Sequence, residues 1–95
     1  MNFCKGDIIV SLAGRDQGQV FFVLETDGEY LLLADGRRRM LEHPKRKKQK
    51  HVRLAARTDS EAARKIKSGS GILNSELRRA LAAFRREENS PNQGG

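Results

Sequence analysis

Two Asp-Gly pairs, Asp27-Gly28 and Asp35-Gly36, stand eight residues apart with apolar runs on either side. Asp-Gly favours a tight hairpin turn because both central residues tolerate φ > 0, and the twist of that turn matches the strands it joins. Two such turns in series commit the chain to a β-meander. The first is expected to pair residues 20–25 with residues 29–34, and the second to pair that strand with residues 37–42. Upstream, residues 7–12 alternate Ile8, Val10 and Leu12 against Asp7, Ile9 and Ser11, the period of a half-buried strand. Gly14-Arg15-Asp16-Gln17-Gly18 then forms a polar loop. Pro44 is expected to end the fourth strand, since it has no N–H for a ladder. His51-Val52-Arg53-Leu54 alternates again and predicts a fifth, closing strand. Short strands at this spacing predict a mainly β fold, a small barrel over residues 1–56 that hides its edges by curling.

After the strands the period changes to that of a helix. Thr58 and Glu61 have capping-box spacing, and Ala62, Ala63 and Ile66 follow them, so a short helix is expected over residues 59–67 with Gly69 as its stop. Ser68-Gly69-Ser70-Gly71 reads as a flexible linker. Leu73, Leu77, Leu81 and Phe84 then share one stripe behind Asn74 as N-cap, which predicts a second amphipathic helix of about three turns. Residues 57–88 thus form a helical extension, and residues 89–95 are expected to be a disordered tail. Phe21 and Phe22 must point to opposite faces of their strand. One is expected in the core, and the other either under the C-terminal helix or exposed as a stacking platform.

Charge narrows the function. The net charge is +7, but residues 1–36 carry a net −4 (2 basic, 6 acidic), residues 37–57 a net +9 (10 basic, 1 acidic) and residues 58–95 a net +2 (7 basic, 5 acidic). Ten cations beside a single acid repel one another unless an anion is bound, which marks the segment as a polyanion-binding patch. Clustered Lys and Arg on one edge of a fold neutralise phosphates and release condensed counterions. The candidate contacts are Arg37, Arg38, Arg39, Lys45, Arg46, Lys47, Lys48, Lys50, His51 and Arg53, with Arg15 in the first loop. In a strand, Arg37 and Arg39 would face one way and Arg38 the other.

Other classes find little support. No Ser/His/acid set is visible, so an enzyme is not expected. Cys4, His43 and His51 lack metal-ligand spacing, and neither a metal nor a cofactor is expected. With no Trp, a large aromatic ligand pocket would be hard to build. A single cysteine fits a reducing compartment, no apolar run approaches the ~20 residues that span a bilayer, and a cytoplasmic monomer is expected.

The stretch Lys5-Gly6-Asp7-Ile8-Ile9-Val10-Ser11-Leu12-Ala13-Gly14-Arg15-Asp16-Gln17-Gly18-Gln19-Val20, continuing through Ala34-Asp35-Gly36-Arg37, resembles the KOW motif, with Gly18 at its characteristic glycine. It is similar to the KOW-containing large-subunit ribosomal proteins of archaeal and eukaryotic type and to small bacterial RNA-binding proteins like them. The resemblance covers residues 5–54. It implies an SH3-like barrel that binds RNA, often ribosomal RNA, with Arg15, Arg37, Arg39 and the run from Lys45 to Lys50 as contacts. Gly6, Asp7, Gly14, Gly18, Gly28 and Gly36 are then structural positions. An alternative is a KOW protein-interaction module of a transcription or translation complex, with the leucine stripe as docking face. Duplex DNA binding is a third.

Overall fold

Val, Ile, Leu and Phe alternate through the first third of the chain so densely that both faces of its strands are apolar. The structure, a computed structural model that describes residues 2–89, shows how both faces are covered. Strands β1 (Ile8–Ser11), β2 (Val20–Asp27), β3 (Tyr30–Ala34), β4 (Lys45–Lys48) and β5 (Val52–Ala56) form one antiparallel sheet in the order β4-β3-β2-β1-β5. Helices α1 (Glu61–Ser68) and α2 (Asn74–Asn89) follow. The fold is mainly β, barrel-like, with two helices at its C-terminal end.

Alternation sends Ile9, Phe21, Val23, Leu31 and Leu33 to the concave side, where Val52 joins them. Val52 sits on β5 and the two leucines on β3, with β1 and β2 between them in the sheet, so their contact requires the sheet to curl. Two register shifts assist, one between Val23 and Glu25 and one beside Ile8 and Ile9, because an extra residue on one strand bends it and raises its twist. The opposite face presents Ile8, Phe22 and Ala34, which pack under Ala62, Ala63 and Ile66 of α1 and Leu77 and Leu81 of α2. Both phenylalanines are therefore core, Phe21 inside the curl and Phe22 beneath the helices.

Several sequence expectations are corrected. In and beside β1 the face that carries the polar residues is the deeper one: Asp7, Ile9 and Ser11 are fully buried, whereas on the other face Ile8 is buried, Val10 half-buried and Leu12 46% exposed. Asp7 accepts the Cys4 N–H and a two-pronged bond from Arg57 (2.9 Å to each oxygen), so its burial is satisfied. Residues 37–42 form no strand. The Asp35 carboxylate accepts the N–H groups of Arg37 and Arg39, both at 2.9 Å, and the Arg39 carbonyl accepts those of Asp35 and Gly36. That closes a tight loop in which Arg37, Arg38 and Arg39 do not alternate across a pleat. The fourth strand is instead the basic run itself, and Pro44 precedes it rather than ending one.

The helices differ in their caps. Ser60, not Thr58, caps α1 by accepting the Ala63 N–H, and Gly69 in the left-handed conformation ends it. The 68–71 segment is held by this C-cap and by Ser70, which donates to the Lys65 carbonyl. At α2 the N-cap place belongs to Leu73: its carbonyl accepts from Leu77 and its N–H donates to Glu76 Oε1, half of a capping box. Lys65 reaches Glu76 Oε2 at 2.6 Å and joins the two helices. Asn74 is used elsewhere, accepting the Leu41 N–H and donating to Glu42. Leu77 and Leu81 are fully buried and Phe84 partly so, leaving Leu73, at 66% exposure, as the open member of the stripe. Helix α2 runs through Asn89, the first residue of the expected tail. Residues 90–95 lie outside the described residues.

Gly36 is the tightest joint between loop and helix. Its φ is +77°, and a Cβ there would lie 2.3 Å from the Asn74 carbonyl oxygen. Gly36→Ala is expected to cost about 2 kcal/mol, since it adds left-handed strain to overpacking against backbone. Gly28→Ala, with a Cβ in open space, should cost about 1 kcal/mol from backbone strain alone. Urea denaturation of the two variants beside the wild type checks the difference.

Candidate nucleic-acid interface

The tight loop that replaces the expected fourth strand places its guanidinium groups against α2. Arg37 and Arg38 line a cleft of about 270 Å³ with Arg78 and Arg85 of the helix, and Gly18 and Gln19 close its far side. Arg78 and Arg85 are seven residues apart, two helical turns on one face. Arg78 donates to the Gly36 carbonyl, which anchors its head at the loop. Asp35 also lines the cleft, and its Oδ1 is occupied by the loop amides. Among the described residues none of the four arginines makes a salt bridge. Four such forks around one concavity repel one another and match the geometry of phosphate oxygens.

The rest of the basic segment is sorted by β4. Lys47 faces Leu31 across the ladder and so points into the curl, where it is buried. Its ammonium lies 2.7 Å from both Asp16 Oδ1 and the Ala13 carbonyl, and Ser11 Oγ donates to the same Asp16 oxygen at 2.7 Å. Lys45 approaches Asp16 Oδ2 at 3.2 Å as an ion pair, although that oxygen accepts no well-aligned hydrogen bond. Arg46 stacks on the Tyr30 ring, 3.6 Å from its centre, and pairs with Asp27 at 3.6 Å. Lys48 lies 5.9 Å from the same ring. Thus Lys47 is withdrawn from the surface, and the charges of Lys45 and Arg46 already face carboxylates.

Burial by itself raises the Asp16 carboxyl, but the contacts from Lys47, Ser11 and Lys45 outweigh it and hold the group well below the ordinary carboxylate range. Asp16 therefore pins the β1–β2 loop onto β4 and leaves Arg15 exposed at its tip. Gly14 and Gly18 both take positive φ, and the Gly18 N–H donates to the Ser11 carbonyl. The turn role expected for this glycine pair accounts for that geometry.

A short 3-10 turn, Gln49–His51, joins β4 to β5, the two edge strands of the sheet. Lys50, His51 and Arg53 are exposed there. Among the described residues no three His, Cys, Asp or Glu side chains come together as a metal site, and no helix is long and apolar enough to cross a membrane.

Arg78 and Arg85 were not among the sequence candidates. Their seven-residue spacing was visible in the sequence, but the loop they face was not. No family model matches the chain, and a search of curated proteins finds no match either.

The Asp16 cluster makes a stability prediction. Because the folded state depresses this carboxyl, the stabilisation is complete above the unfolded value of about 3.9 and declines as pH falls below it toward the folded one. Asp16→Ala strands Lys47 in the core and should cost about 3 kcal/mol near neutral pH, at the low end for breaking a buried pair. The deficit should shrink below about pH 4. Chemical denaturation of both proteins at pH 7 and pH 3 tests it.

Proposed function

We propose that the chain is a non-enzymatic RNA-binding protein that grips the phosphates of a structured RNA in the four-arginine cleft. The observation that carries this reading is the convergence of Arg37, Arg38, Arg78 and Arg85 on one concavity without a salt-bridged acid among the described residues. Arg15 and Arg39, exposed on adjoining loops, extend the positive surface. Phosphate contacts position a nucleic acid, and the fixed spacing of loop and helix selects its shape. The KOW resemblance directs the proposal to ribosomal RNA and the ribosome. The alternative of a protein-docking module took the leucine stripe as its docking face, and the burial of Leu77 and Leu81 removes most of that face.

Binding through about five phosphates gives a slope of log K against log salt of about −3.5 or steeper. Arg37 and Arg85 are exposed, so Arg37→Glu with Arg85→Glu leaves the core intact. Losing two charge-assisted contacts of about 1.5 kcal/mol each lowers affinity roughly 100-fold. Fluorescence anisotropy with a folded ribosomal RNA fragment and a duplex DNA of equal length, at matched salt, reads both effects. Affinity unchanged in the double variant, or equal for the RNA and the DNA, would overturn the proposal.

A further inference from the structure

We infer that a second site, a groove beside the turn that joins β4 to β5, takes one unpaired nucleobase; the inference rests on the RNA-binding reading of the arginine cleft. The groove has a volume of about 490 Å³ and is lined by Phe3, Leu12, Gln49, Lys50, Val52 and Arg53. That volume falls within the range of about 300–1,000 Å³ typical of small-molecule sites. Its floor is apolar, formed by Phe3, Leu12 and Val52. Leu12 is one of three large apolar side chains left exposed among the described residues. It is held in that position: its N–H donates to the His51 carbonyl at 2.8 Å, which extends the β1–β5 pairing into the 3-10 turn.

The rim is cationic. Lys50 and Arg53 are exposed, neither makes a salt bridge among the described residues, and no acidic side chain lines the groove. An apolar floor beside two unpaired cations complements a group with a flat apolar face and an anion attached to it, which describes a nucleotide. A duplex hides the faces of its bases, so only an extruded or unpaired one can present them.

The two sites share one loop. Leu12, where the β1–β2 loop begins, lines the groove, and Gly18 and Gln19, where it ends, line the arginine cleft. Arg15 is exposed within this loop, and Asp16 fixes the loop to β4. A bulged RNA therefore meets phosphate ligands in the cleft and at the loop tip, and its unpaired base reaches Leu12.

The test uses the full chain and three labelled RNA hairpins of one sequence: fully paired, carrying one bulged adenosine, and carrying an abasic residue in the bulge. The wild type is expected to bind the adenosine bulge roughly tenfold tighter than the other two, as for one stacked base. Leu12→Glu changes an exposed residue and is expected to abolish the preference while leaving affinity for the paired hairpin within about twofold; a thermal melt confirms its fold. Arg37→Glu with Arg85→Glu should weaken all three RNAs and preserve their ratio. Equal binding of adenosine and abasic bulges by the wild type, or a preference that survives Leu12→Glu, overturns the base site and leaves the cleft reading standing. No binding of any hairpin at low salt removes both.

Discussion

A five-stranded sheet with apolar side chains on both faces needs two covers. Phe21 and Phe22 state the constraint most directly, since neighbouring rings on a strand leave in opposite directions and each is too large to remain in water. Curling satisfies the inner set, gathering Ile9, Phe21, Val23, Leu31, Leu33 and Val52. The outer set cannot be hidden by the sheet itself, and α1 and α2 complete it with Ala63, Ile66, Leu77 and Leu81. The helical extension is therefore part of the core. Its docking also brings Arg78 and Arg85 to the β3–β4 loop, so hydrophobic burial positions the polar cleft.

Charge is managed by the same geometry. A strand reading Lys-Arg-Lys-Lys is an unlikely partner for a ladder by intrinsic preference. At the edge of this sheet it is accommodated, because Asp16, Asp27 and Tyr30 receive its side chains. Lysine along an edge also discourages pairing with another chain. The acidic residues of the N-terminal third thus neutralise part of the basic segment that follows. The exposed cations of that segment include Arg37 and Arg38 at the cleft, Arg39 beside them in the loop, and Lys50 and Arg53 around the 3-10 turn.

Most of the scaffold was legible. The Asp27-Gly28 turn, the strands on either side of it, the closing strand and both helices follow from turn chemistry and periodicity, which depend on neighbours in the chain. The errors share a cause. Residues 37–42 looked like a strand because they followed an Asp-Gly pair, but the Asp35 carboxylate captured the amides of Arg37 and Arg39 and curled the chain. The Lys45–Lys48 run looked like a phosphate-binding patch and not like a strand with Lys47 turned inward, because the partner Asp16 lies about thirty residues earlier. Asn74 looked like a helix cap and was drawn instead to Leu41 and Glu42. In each case a polar side chain had two possible partners, and tertiary contact chose between them.

By itself the sequence determined the class of fold, the order of its elements and the excess of positive charge, since these are set by local backbone preference and by composition. Only the tertiary structure decided which cations face solvent, which are matched within the protein, and which come together. Coulomb interaction depends on distance and burial rather than on position along the chain. Lys47 and Lys48 are adjacent in sequence, yet one is sealed against Asp16 and the other lies beside Tyr30. Arg37 and Arg85, far apart in sequence, share one cleft.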